Sequence, residues 1–266
     1  MSEMEAHPVL PKMIDEKITI HCPDSLNKQY ATLYPTRTWL IVEKLSEKPT
    51  PIDPEDFDVG MGPAYTVGKY RCRDIKNDVY AFMRIYKQIP LAGTELDNLA
   101  VRRKQACKPR RHTELSALKS FTENGCTATP KLFGYQIGKQ DENDLVPGGY
   151  IIYLVWEKVR GDSLSSQEFW SLPYHRRQTI RKNFKNAYME LLKAKYKPLR
   201  STASNIILDK TTGDIKISGF KRAVYVPSDT KWKDFNFVMF FLALNSSRDY
   251  EHMAKDVEFG KHGWRW

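Results

Sequence analysis

Few residues in this chain have the type and spacing to do chemistry. Between Arg102 and Arg111 six cations (Arg102, Arg103, Lys104, Lys108, Arg110 and Arg111) stand with no acid among them. Such a run draws phosphates or acidic surfaces, or is a solvated insertion. Asp209 and Asp214 could ligate a divalent cation, yet they flank Thr211-Thr212-Gly213, where aspartate is favoured for turn formation alone. A lone G-x-G, Gly60-Met61-Gly62, precedes a strand-like run and reads equally as an ordinary turn; Pro63 removes one backbone donor from it. The four cysteines (Cys22, Cys72, Cys107, Cys126) form no C-x-x-C pair. The six histidines show no H-E-x-x-H or related spacing, so no metal site is expected.

The elements that must position these groups follow from periodicity. Residues 18–22 and 38–45 read as strands, and the Pro-rich stretch 48–58 as a surface connection. Residues 65–71 and 79–86 (VYAFMRIY) form a hairpin around the polar turn 73–78. Leu115, Leu118 and Phe121 then lie at helical spacing before the stop signal Asn124-Gly125. Two more strands, 130–137 and 150–156, are joined by a polar loop ending Pro147-Gly148-Gly149. Residues 173–196 form a long helix with Ile180, Phe184, Ala187, Tyr188, Leu191 and Leu192 on one face; Arg177, Arg181, Lys182 and Lys185 lie elsewhere. A short hairpin, 205–208 with 215–217, follows, and 232–244 is expected to be a helix packed on the long one.

This order resembles the bilobal protein-kinase-like fold, including its aminoglycoside-phosphotransferase branch. The resemblance implies an α+β chain with an antiparallel five-stranded N-lobe holding one helix and a reduced, mainly helical C-lobe. Residues 1–56 become an extension whose strands pack on the N-lobe, 57–157 the N-lobe, and 158–266 a truncated C-lobe, since only 46 residues follow Phe220. Gly60, Gly62 and Val67 fall on the Gly-rich phosphate loop, whose third glycine is Tyr65 here. Met83 or Arg84 takes the place of the strand lysine; Glu114 suits its helix partner, unless Arg84 and Glu114 are unrelated surface charges. Glu157 and Val159 fall at the hinge that meets an adenine edge. Anchored on Asn205, the run 198–205 (PLRSTASN) aligns with HRDxxxxN, putting Arg200 at the catalytic base and Pro198 at the histidine. Gly219 replaces the metal-binding aspartate of DFG in 216–220 (KISGF), and Asn205 alone survives of the metal ligands. The runs MRIYKQIP, RRHTELSAL, VPGGYIIYLVWEKVRG and SNIILDKTTGDIKISGF further resemble a multi-copy family of filamentous-fungal kinase-like proteins, read as pseudokinases. That implies a degenerate fold and brings no activity with it.

A general base is worth about 10²–10⁴ in rate, and the metal clamp stabilises much of the transferring charge. Arg200 stays charged and cannot accept a proton. The expectation is therefore an inactive kinase-like protein, a pseudokinase that binds a protein partner, with ATP and Mg²⁺ held weakly or not at all. The alternatives are an atypical ATP-dependent phosphotransferase and a basic nuclear module bound to chromatin or a kinetochore through the Arg102–Arg111 stretch; some fungal kinetochore subunits are also kinase-like. Composition narrows the field: 41% hydrophobic residues over 266 exclude wholesale disorder, and a net charge of +10 favours acidic partners. The longest apolar run, 237–244, is far short of the about 20 residues that span a membrane. A soluble protein of the cytoplasm or nucleus is expected, without a membrane partner.

Overall fold

The computed structural model describes residues 9–24, 26–109, 112–245 and 263–266. In chain order the elements are β1 (Lys17–Ile20), α1 (Lys28–Leu33), β2 (Arg37–Thr50), α2 (Pro54–Asp58), β3 (Tyr65–Asp74), β4 (Tyr80–Gln88), α3 (Leu99–Lys104), α4 (Thr113–Glu123), β5 (Leu132–Lys139) and β6 (Tyr150–Glu157). There follow β7 (Asp162–Ser163), α5 (Ser166–Ser171), α6 (Tyr174–Lys193), β8 (Tyr196–Pro198), β9 (Ile206–Leu208), β10 (Ile215–Ile217), β11 (Ala223–Tyr225) and α7 (Phe235–Met239). The chain divides into two compact units: Met1–His112 with Leu132–Lys158, and Thr113–Lys131 with Val159–Trp266. The helix expected beside the strands, α4, groups with the second.

The first unit is an antiparallel sheet of order β1-β2-β3-β4-β6-β5, six strands where five were expected, because β1 adds to the outer edge of β2. Alternation along β3 and β4 sends Tyr70, Cys72, Ala81, Met83 and Ile85 to one face. There they form a buried cluster with Leu10, Ile20, Trp39, Ile41 and Val155. Trp39 stacks on Phe133 of β5, ring centroids 5.8 Å apart. β1 lies close over β5: a Cβ on Gly134 would come within 3.0 Å of the Ile20 side chain. Burial presses the Cys72 thiol up to about 12, with Asp74 adding to it, so that sulfur stays protonated.

The Pro-rich stretch departs from expectation. β2 runs on through Pro49, which pairs with Thr66, to Thr50. β1 covers β2 only at Arg37–Leu40, so among the described residues the opposite edge of β2 has no strand partner at Pro49 and the missing N–H costs no ladder bond there. Asp53 then caps α2, accepting from the Asp56 N–H at 2.8 Å, with Pro54 at the first helical position.

In the second unit α6 buries Ile180, Phe184, Ala187, Tyr188, Leu191 and Leu192, the predicted face. Phe184 packs on Phe240 at 4.7 Å, and Phe121 of α4 on Phe220 at 4.6 Å. Arg177 and Arg181, expected elsewhere on the helix, lie on this same buried face, 0% and 2% exposed, while Arg176 and Lys182 are exposed. The Arg181 guanidinium donates to the Leu242 carbonyl at 2.6 Å and lies over the rings of Phe169, Trp170 and Trp266. Burial first, and Arg177 next, push its pKa down to about 9.

The helix expected over 232–244 shrinks to α7. Phe241, in the left-handed region at φ 60, closes it: Phe241 N–H donates to the Val238 carbonyl and Leu242 N–H to that of Phe237. Trp170 Nε1 holds the Phe241 carbonyl at 3.0 Å. Beyond it Leu244 bridges Arg265, and Trp266 packs on Phe237 at 5.4 Å. No helix among the described residues is long and apolar enough to cross a membrane.

Candidate functional site

Gly60 and Gly62 do sit in left-handed conformations, φ 85 and φ 104, ahead of β3. Gly60, however, ends α2. Its N–H donates to the Phe57 carbonyl at 2.9 Å and the Met61 N–H to that of Asp56 at 3.0 Å, the paired bonds of a glycine-closed helix C-terminus. The first amide of the G-x-G is thus already engaged inside the chain. Val67 is buried.

Of the two residues left open on β4, Met83 lies in the core cluster and Arg84 faces the opposite side of the sheet. Arg84 stands over Trp156 at 4.9 Å. Its cross-strand neighbour Lys69 stands over Phe82 at 4.2 Å, and the two rings are 6.0 Å apart. Two cations and two aromatics therefore fill one patch of this face. Lys69 and Phe82 carried no motif; the period-2 pattern from Val67 and Arg84 was the only signal available. Glu157 at the end of β6 is half-buried.

The second unit holds the other expected residues. Glu114 is buried on α4 and Val159 is buried after β6. Arg200 is exposed in the turn after β8. Asn205 and Gly219 are brought together. Gly219 adopts φ 90, and a Cβ built on it would fall 2.1 Å from Asn205 Nδ2 and 2.8 Å from Asn205 Cγ. The amide oxygen of Asn205 accepts the Thr202 N–H at 3.0 Å, and the Asn205 carbonyl accepts the Ser218 N–H at 2.8 Å. The asparagine is held by its own turn and covers the glycine. Asp209 serves a turn as well: it accepts the N–H groups of Thr211 at 2.8 Å and Thr212 at 3.4 Å and faces Arg160 at 3.4 Å. Those backbone bonds, with Arg160, hold its carboxyl below the usual range. Among the described residues no group of three or more His, Cys, Asp or Glu could hold a metal ion.

The basic stretch is more ordered than a solvated insertion. Asn98 caps α3 through the Val101 N–H, and Arg102 donates to the carbonyls of Asp97 and Leu145 at 3.0 and 2.9 Å. Arg103, Lys104 and Lys108 are exposed; Arg110 and Arg111 lie outside the described residues. The segment after α3 is tied down by glutamines no motif announced. Gln88 Nε2 donates to the Gln105 carbonyl at 2.7 Å, and Gln88 Oε1 accepts the Cys107 N–H at 3.2 Å. Gln140 Nε2 donates to the Gln88 carbonyl at 2.8 Å, and its Oε1 accepts the Val146 N–H at 3.2 Å. Between this segment and the end of β5 lies an open groove of about 860 Å³.

Fold and site define a mixed α/β chain with a mostly antiparallel sheet, in which Gly60, Met83, Asn205 and Gly219 are engaged in packing and turn-closing contacts. No protein-family model matches the chain, and no curated protein matches it. Among solved structures it is similar to the kinase PK-1 of Cydia pomonella granulovirus, with 12% identity and a TM-score of 0.42; the match covers 76% of this chain. The chain spans 60% of the length of that viral kinase.

Proposed function

We propose that this chain is a catalytically inactive kinase-like protein, a pseudokinase that serves as a protein-binding scaffold. The observation that carries the reading is the Asn205–Gly219 contact. On the kinase resemblance these are the two metal-ligand positions, and here the asparagine amide occupies the space a side chain at 219 would need. Its oxygen meanwhile caps the turn through Thr202. Arg200, at the base position, carries a guanidinium that cannot take a proton from a hydroxyl. The spent amide of Gly60 points the same way. The element order supports the kinase part of the reading: four sheet strands ahead of α4 and two after it, then the long helix α6 and the β9–β10 hairpin.

The test is a thermal midpoint measured with and without millimolar ATP, in Mg²⁺ and again in Mn²⁺. A ligand at a hundred times its Kd stabilises the folded state by about 2.7 kcal/mol, several degrees for a chain of this size. No shift is expected. A metal-dependent rise accompanied by ATP consumption would make the protein an atypical phosphotransferase instead.

A further inference from the structure

The groove beside β5 has the composition of a docking site. One wall is the end of α3 and the segment after it, with Arg103 and Lys108 exposed; the other is the end of β5, where Ile137 and Lys139, two residues apart, project from the same face. Ile137 is 54% exposed, an aliphatic side chain left open on a strand whose Leu132 is buried and whose Phe133 and Tyr135 are half-buried. Three cations line the groove against one acid, Glu142, and none of the three forms an ion pair among the described residues. The walls are preset rather than pliable. The Gln88 and Gln140 side chains, 1% and 5% exposed, bond β4, the segment after α3 and the β5–β6 loop to one another, so the cations are displayed from fixed backbone. β5 is also an edge strand, paired only with β6 among the described residues.

We propose that this groove docks an acidic, extended peptide segment of a partner protein, whose carboxylates meet Arg103, Lys108 and Lys139 while an apolar side chain seats on Ile137. A peptide fits better than a nucleic acid. The groove offers an aliphatic seat rather than exposed stacking rings, and the tyrosine lining it, Tyr150, is buried. The site gives the scaffold reading a partner class and rests on it only in expecting a protein partner; it uses none of the kinase-motif residues.

The test is fluorescence polarisation of the full chain with a short labelled peptide of glutamates around one phenylalanine. Saturable binding that weakens with salt is expected, at least tenfold weaker for the pair Lys108→Glu and Lys139→Glu and several-fold weaker for Ile137→Ser. The milder pair Lys108→Gln and Lys139→Gln serves if charge reversal disturbs folding, which the melting curve reports. The proposal is overturned by no binding at millimolar peptide or by undiminished binding to the variants. Equal binding of a peptide with alanine in place of phenylalanine overturns it too, as does displacement by an oligonucleotide at lower concentration than by unlabelled peptide. ATP-dependent stabilisation alongside intact peptide binding would remove the inactivity reading alone; absent peptide binding with ATP inert would remove only the groove.

Discussion

Gly219→Ala adds a single methyl group at the position on which the inactivity reading depends, and its cost can be worked from the geometry. At φ 90 and ψ 28 an L side chain costs about 1–2 kcal/mol relative to glycine. The new carbon would also sit 2.1 Å from Asn205 Nδ2, so the amide has to move and release the Thr202 N–H, a loss of about 1 kcal/mol by analogy with helix caps. Together these predict about 2–3 kcal/mol, which lowers the melting midpoint by roughly 5–10 °C for a chain of this length. Differential scanning fluorimetry with urea titration measures both quantities. The decisive control is the same change in an Asn205→Ala background. There the collision is gone and only the backbone part, about 1–2 kcal/mol, remains, so the double-mutant cycle shows coupling of about 1 kcal/mol. A single-mutant cost under about 0.5 kcal/mol, the size of an ordinary surface change, or strictly additive effects, would refute the packing argument. In the same framework Arg200→Asp with Gly219→Asp gains no ATPase activity, because the restored carboxylate meets the same amide.

Three further outcomes are expected. Met83→Ala loses about 2–5 kcal/mol by opening the core cluster, whereas Arg84→Ala forfeits about 1 kcal/mol of cation–ring attraction; parallel urea denaturation of the two variants separates the faces of β4. Trp266→Ala costs about 2 kcal/mol, since the ring is partly buried on Phe237 and Arg181, and its melting midpoint reports the loss. Glu47 is pulled up by burial. The bonds it accepts from Lys44, Thr66 and the N–H groups of Val9 and Leu10 outweigh that and leave its pKa lowered. A carboxylate with a lowered folded pKa stabilises above its ordinary value, near 4.5, and that stabilisation fades as pH falls through the folded value. Glu47→Gln therefore flattens this part of the acid limb, read by melting between pH 7 and pH 3.

Where side chains repeat with a clear period, the sequence sufficed. The β3–β4 hairpin, α4 and α6 follow from alternating or three-to-four spacing of apolar residues along β3, β4 and their helices. The misses have physical causes. Pro49 continues a strand because its outer edge has no strand partner among the described residues, a fact about neighbours rather than residues. α7 is cut short by Phe241, which takes a left-handed conformation that sequence assigns to glycine, under the pull of Trp170 and Arg181 on adjacent carbonyls. Arg177 and Arg181 were set apart from the apolar face because periodicity counts apolar groups and does not register aromatic rings that accept a cation. The strands β7, β8 and β11, of two or three residues, are too short to carry a period. For the site, the glycine at 219 was legible, whereas the contact that covers it was not, since Asn205 is fourteen residues away.

The glutamine ties behind the groove have a property that charged or hydroxyl links lack. Each carboxamide has a donating end and an accepting end, and Gln88 meets a carbonyl with one and an N–H with the other; Gln140 does the same. Turning either amide over by half a rotation would convert two attractions into two repulsions, so the assembly has a handed sense and one satisfied state. Neither group titrates. The shape of the wall is then indifferent to acidity across the range in which histidine or carboxylate latches open, and a change of a single atom, Gln88→Glu, would set an oxygen against the Gln105 carbonyl and unlatch it.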